Sequence, residues 1–182
     1  MFAVPLGEGA ELRPLEPWQA EEFAEHADRV REDIAPWIPW SRTVTDVPSA
    51  RALLEQYAQR RAADQGRIYG IWIDGLLQGG TVFRTFDPVL RNCEIGVWMG
   101  TAGRGRGLIT AAARHMIDWA LGPRGMARVE WHCDPENERS VAAAERLGMT
   151  HEGTLRKAFV MDGERRDTMI WALLAGEWRT AG

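Results

Sequence analysis

One stretch limits what this chain can fold into more than any other. Residues 98–110 read W-M-G-T-A-G-R-G-R-G-L-I-T, with Gly100, Gly103, Gly105 and Gly107 set among Arg104 and Arg106. A strand-like run over 93–99 leads into it, and a helix-like run over 108–121 leads out. Glycine permits a sharp turn and lets a ligand come close to backbone N–H groups. The unpaired N–H groups that open the helix point into the same turn. Strand, loop and helix therefore make an anion site with guanidinium charge beside it. The expected ligand carries phosphate.

Two familiar phosphate patterns do not fit. A P-loop ends in Gly-Lys-Ser/Thr, and this loop has no lysine. A dinucleotide loop needs G-x-G-x-x-G, whereas Gly103, Gly105 and Gly107 are spaced G-x-G-x-G.

The surrounding chain alternates strands and helices. A short first strand is expected over 11–15, stopped by Pro14 and Pro17. Trp18, Phe23, Ala27 and Val30 have helical spacing. Pro36 and Pro39 exclude a helix interior over 35–40, leaving a stiff aromatic loop. Its Trp37 and Trp40 either roof a pocket or pack on the core or a partner. Asp46 is placed as an N-cap, with Pro48 just inside a helix over 47–63. Strands are expected over 67–73 and 76–86, joined at Asp74-Gly75, with a bulge at Gly79-Gly80.

After the strand over 92–99 and the loop, Ile109, Ala112, Ala113, Met116, Ile117 and Ala120 share one helix face. The strand over 127–133 puts Val129, Trp131 and Cys133 opposite Arg128, Glu130 and His132. A helix from Asn137 to about Leu147 stops at Gly148. Two last strands, 152–161 and 165–174, meet at Asp162-Gly163. The order β-α-α-β-β-β-α-β-α-β-β gives a mixed α/β sheet with helices on both faces. At 182 residues, 1–182 reads as a single domain.

The net charge of −4 gives no reason to expect nucleic acid, and weakly favours a cationic, amine-bearing substrate. No apolar run approaches a membrane span. Cys93 and Cys133 lack metal-site spacing and no secretory signal is seen, so both read as reduced thiols of a cytoplasmic protein. The histidines show no metal spacing either, and no metal is expected.

Arg104-x-x-Gly107-x-Ile109 is close to R/Q-x-x-G-x-G/A. It resembles the pyrophosphate loop of the GCN5-related N-acetyltransferases (GNAT), which hold acetyl-coenzyme A. Ile109 departs from the final Gly/Ala, and Gly-Arg-Gly-Leu-Ile-Thr is more similar to the RimJ/RimL-like ribosomal-protein N-acetyltransferase branch. Further matching segments are Pro-Trp-Ile-Pro-Trp, Glu94-Ile-Gly-Val-Trp-Met, Asn137-x-x-Ser140, Leu147-Gly-Met149, Glu152-Gly153 and Leu155-Arg156. The resemblance spans roughly 10–176.

It implies the GNAT fold: α/β, a mixed and mostly antiparallel twisted sheet, helices on both faces, and a splayed central strand pair. It implies that pantetheine adds alongside Val97, Trp98 and Met99. The pyrophosphate would lie on Arg104, Gly105, Arg106, Gly107, Leu108, Ile109 and Thr110, with Asn137 and Ser140 at the arm and thioester. It also suggests a homo-oligomer, a dimer in many relatives.

Transfer to an amine needs a proton acceptor, an oxyanion donor and an acid for the thiolate. Glu94 is the candidate base, against a plain strand-edge pairing. Ser140 is the candidate acid, against a helix-start hydrogen bond. His132 is read as structural or as part of a water relay. Some RimL-like enzymes place a glutamate where this chain has Phe159. The acceptor is then a primary amine, either a protein N-terminus or a small molecule. Succinyl-coenzyme A as donor and a non-catalytic coenzyme A-binding protein stand as alternatives.

Overall fold

The computed structural model describes residues 3–7 and 9–178. Its strands are β1 (Val4–Gly7), β2 (Ala10–Pro14), β3 (Arg67–Ile73), β4 (Leu76–Asp87), β5 (Asn92–Met99), β6 (Arg128–Cys133), β7 (Thr150–Met161) and β8 (Glu164–Leu174). Its helices are α1 (Ala20–Ile34), α2 (Trp40–Thr43), α3 (Val47–Ala62), α4 (Leu108–Leu121) and α5 (Glu138–Arg146). The strands form one eight-stranded sheet in the order β1-β2-β3-β4-β5-β6-β8-β7. Every neighbouring pair is antiparallel except β5 and β6.

That exception creates the opening in the sheet. β5 and β6 pair only at Asn92↔Arg128, Cys93↔Val129 and Glu94↔Glu130. Beyond Glu94, β5 keeps β4 as its partner on one side, while β6 pairs with β8. The strands splay, and the open edge of β5 at 95–99 is left without a sheet partner among the described residues.

Period-2 alternation divides the side chains between two cores. Tyr69, Ile71 and Ile73 join Ala112, Ala113, Met116 and Ile117 of α4 in one apolar cluster. Ile68 and Trp72 face the other way, into the cluster of Phe23, Ala27 and Val30 of α1 and Leu54 of α3. Trp98 reaches this second core across Gly80, where a Cβ would stand 2.2 Å from the indole. The glycine there is required by close approach.

Local signals produce the expected elements. Asp46 caps α3 by accepting from the Ser49 N–H at 2.8 Å. Asp74-Gly75 and Asp162-Gly163 both have two successive positive φ values, as a type I′ hairpin turn demands. Gly148 takes φ +73° where α5 stops.

The differences have local causes. β1 was not expected; Gly7 and Gly9, at φ +89° and +73°, turn it back on β2. α1 continues four residues past Val30, because Ile34 extends its buried face by one more turn. The segment expected to be all loop ends in the short helix α2, since Pro39 sits at its N-cap, where a missing N–H costs nothing. The β4 bulge falls at Gln78, beside the glycines rather than on them, as Ile71 pairs with Gly79 and Trp72 with Leu77. β7 starts at Thr150, two residues earlier than the pattern suggested.

Candidate active site

Two cavities open at the splay. The larger, about 760 Å³, lies among the open edge of β5, the glycine loop, the first turn of α4 and one face of α5. The smaller, about 420 Å³, lies beyond it, under residues 36–40 and between the β5–β6 fork and the β7–β8 hairpin. Trp37, Ile38, Val97, Trp98, Asn137 and Ser140 line both. The cavities therefore meet at one shared wall.

The larger cavity has Gly103, Gly105, Gly107, Ser140, Ala142 and Ala143 among its lining. Gly107 is the N-cap of α4 in the left-handed conformation, φ +70°, and no side chain caps the helix. Gly105 is also left-handed, at φ +78°. A Cβ at either glycine would meet no protein atom within 4 Å, so each faces open space that a ligand could fill. The N–H groups that open an α-helix have no intrahelical carbonyl partner, and Leu108, Ile109 and Thr110 of that first turn line this cavity. Val97, Trp98, Met99, Arg104, Gly105, Gly107, Leu108, Ile109, Thr110, Asn137 and Ser140 all line this cavity; Arg106 does not.

Arg104 is less available than the loop sequence suggests. Its guanidinium lies 3.5 Å from Asp33 at the end of α1 and donates to the Met99 carbonyl at 3.4 Å. Asp33 also accepts from the Thr101 hydroxyl and N–H, at 2.7 Å and 3.1 Å. The hydroxyl bond, above all, lowers the carboxyl's pKa below its usual value. Asp33 thus pins the loop to α1, a role the loop residues alone could not reveal.

Asn137 caps α5 by accepting from the Ser140 N–H at 3.2 Å. The Ser140 hydroxyl accepts from the Trp131 indole N–H at 2.9 Å. A hydroxyl has one proton and two lone pairs, so this bond occupies a lone pair and leaves the proton to be donated. The two readings of Ser140 are therefore compatible: its backbone serves the cap and its side chain faces both cavities.

Glu94 lines the smaller cavity and is only 8% exposed. Arg84 lies 3.2 Å from its Oε1 and His132 Nδ1 3.7 Å from it. Neither makes a hydrogen bond to Oε1, which is a buried acceptor, ion-paired with Arg84 but without a hydrogen-bond partner among the described residues. His132 is anchored at its other nitrogen, Nε2, 2.8 Å from Glu130. Burial opposes the Glu130 charge, but bonds from Arg128, Asn92 and His132 outweigh it and hold its pKa low. Fork residues Glu94 and His132 thus stand side by side, with Glu130 behind.

The remaining wall is aromatic. Trp37 lines both cavities, and Trp40 lines the smaller one while meeting Trp98 edge-on at 5.4 Å and Phe23 at 5.2 Å. Phe159 lines the smaller cavity, whereas Asp162 is paired with Arg42. Neither Asp162 nor Glu164 is part of that wall. The Trp98 indole donates to His26 at 2.9 Å, deep under α1. His26 carried no sequence signal beyond its place on the buried face of α1.

Residues 10–150 match a family model described as an acetyltransferase (GNAT) domain. The chain belongs to the GNAT acetyltransferase family. YdaF of Bacillus subtilis (strain 168), named as a candidate ribosomal N-acetyltransferase, is 31% identical over 98% of each chain. The ribosomal-protein-serine acetyltransferase of Escherichia coli (strain K12) is 23% identical, covering 73% of this chain and 74% of its own. A solved structure of the ribosomal α-N-protein acetyltransferase RimL with coenzyme A superposes with a TM-score of 0.89. It is 19% identical and covers 94% of this chain and 97% of its own, a likeness of fold. This GNAT protein is an acyl-coenzyme A-dependent N-acetyltransferase.

Proposed function

We propose that this acetyltransferase carries an acetyl group from acetyl-coenzyme A to the α-amine of a protein N-terminus. The observation that carries this reading is the pair of cavities meeting at one wall. One is lined by the glycine loop and the first turn of α4. The other holds a buried carboxylate oxygen with no hydrogen-bond partner among the described residues.

The larger cavity suits acetyl-coenzyme A. The open edge of β5 at Val97, Trp98 and Met99 offers backbone groups to the pantetheine amides, as an added strand would use them. The glycine loop and the start of α4 offer N–H groups to the pyrophosphate. Asn137 and Ser140 stand where the thioester would meet the amine. The relative RimL, crystallised with coenzyme A, supports this ligand.

In the smaller cavity, Glu94 Oε1 would accept a hydrogen bond from the acceptor amine and take its proton as the nitrogen attacks the carbonyl carbon. An α-amine, with a reference pKa of about 7.7–8.0, needs less help than a lysine at about 10.4. A backbone N–H on the open edge of β5 would bind the carbonyl oxygen as it gains charge. When the carbon–sulfur bond breaks, Ser140 would give its hydroxyl proton to the departing thiolate and regain one from solvent. Its bond from Trp131 orients it for this.

The relatives named for ribosomal proteins support a protein acceptor. A cytoplasmic location fits that acceptor, and the two buried free cysteines are consistent with it. No described helix is long and apolar enough to cross a membrane. A homodimer could use the outer edge of β7, where Leu155 and Val160 are 54% and 52% exposed.

The test is thiol release from acetyl-coenzyme A with three acceptors: peptides with a free α-amine, N-blocked peptides with one lysine, and a polyamine. Acetylation of the α-amine peptides is expected. Turnover on lysine or polyamine alone would refute the N-terminal acceptor. Faster thiol release from succinyl-coenzyme A would replace the donor. Binding of coenzyme A without turnover on any amine would leave a coenzyme A-binding protein.

A further inference from the structure

Helix α5 turns a regular face toward the larger cavity. Arg139, Ala142, Ala143 and Arg146, at i, i+3, i+4 and i+7, all line it. The alanines keep the middle of the wall low, and the guanidiniums stand at either end. Arg139 acts electrostatically on Asp33 across the cavity. Arg146 is exposed, and its guanidinium pairs with no carboxylate or carbonyl among the described residues. Its neighbour Arg114 is committed elsewhere: it donates to the Arg146 carbonyl at 3.3 Å and lies over the Trp178 ring at 5.5 Å.

The position of Arg146 selects the group it can meet. Asn137 and Ser140, at the start of α5, belong to the wall shared with the acceptor cavity. Arg146 lies nine residues beyond Asn137, about 13 Å along a helix. The contact with Arg114 sets it beside the second turn of α4, past the N-terminal N–H groups that suit a pyrophosphate. A donor with its thioester at Ser140 and its pyrophosphate at the loop has one more anionic group farther along, the ribose 3′-phosphate. We propose that Arg146 binds this 3′-phosphate and makes the enzyme discriminate coenzyme A from 3′-dephospho-coenzyme A. This rests on the donor cavity assigned above. A guanidinium without a protein partner suits such a group, since charge-assisted forked bonds to phosphate are among the strongest it can make.

The test is calorimetric binding of coenzyme A and 3′-dephospho-coenzyme A to the full chain, as wild type and as Arg146→Gln, with melting temperature as the check on folding. Wild type is expected to bind the dephospho form about tenfold more weakly, the scale of one charged hydrogen bond. Arg146→Gln should weaken coenzyme A binding by about the same factor and leave the dephospho form unchanged. Arg146→Lys should restore part of the preference. An equal loss for both ligands, or no change in either, would overturn the proposal; Arg146 would then serve the pyrophosphate or only the C-terminus of α5. If wild type bound neither ligand, the donor-cavity reading itself would fail, a result distinct from equal binding of both.

Discussion

The two cavities are made in different ways. The larger cavity draws most of its wall from two stretches, the loop with the first turn of α4, and α5 along its whole length. The smaller cavity draws on residues 36–39, α2, α3, α5 and every strand from β3 to β8, with one to five residues from each. Two short stretches, one of them glycine-rich, shape most of the first; side chains converging from distant parts of the chain shape the second. A site of the first kind tolerates varied side chains as long as the backbone path is kept. A site of the second kind depends on each side chain and can change substrate without a change of fold.

The sharpest way to break this division is at Glu94. Glu94→Gln keeps the size and removes the proton acceptor. Turnover should fall by about 100-fold or more, while coenzyme A affinity stays the same. Retained turnover would remove Glu94 as the base, and a matching loss of coenzyme A affinity would show that the two cavities are not separable.

Gly107 tests the other side. Its left-handed φ of +70° costs a β-branched residue about 1–2 kcal/mol, and the new side chain would enter the open space at the head of α4. Gly107→Val should weaken coenzyme A binding by about tenfold or more by calorimetry. Unchanged affinity would mean that the loop is only a tight strand-to-helix turn.

The smallest effect on catalysis is expected where the two sides join. His26 accepts from the Trp98 indole, and burial, with help from Arg29, lowers its pKa from 6.5 to about 4. The folded protein keeps this histidine neutral while the unfolded chain protonates it. Its contribution is therefore fully present above pH 6.5 and is lost as pH falls from 6.5 toward 4. That loss amounts to up to about 3 kcal/mol. Urea unfolding at pH 7 and pH 4.5 should show a smaller acid loss for His26→Gln than for the parent. Parallel losses would remove His26 from the acid response.

The same contrast explains what could be read in advance. The hairpin turns at Asp74-Gly75 and Asp162-Gly163, the Asp46 cap and the α4 face were legible because each depends on residues a few positions apart. The glycine loop was legible as a tight strand-to-helix turn for the same reason. The Asp33 tether on Arg104 was not, since Thr101 and Asp33 are 68 residues apart. Nor was the setting of Glu94 Oε1, ion-paired with Arg84 and near His132 but without a hydrogen bond among the described residues.

By itself the amino-acid sequence determined the alternation of strands and helices, the glycine loop between β5 and α4, and the family to which the chain is similar. These follow from short-range rules: side-chain period, glycine at positive φ, and unpaired N–H groups at a helix start. Only the tertiary structure decided how far β5 and β6 stay together, and therefore where the sheet opens. It also decided that Asp33 holds Arg104, that the Ser140 hydroxyl accepts a hydrogen bond from the Trp131 indole, and that Phe159 lines the smaller cavity. The physical reason is distance along the chain. Burial, ion pairing and the match of two strands depend on groups that only packing brings together.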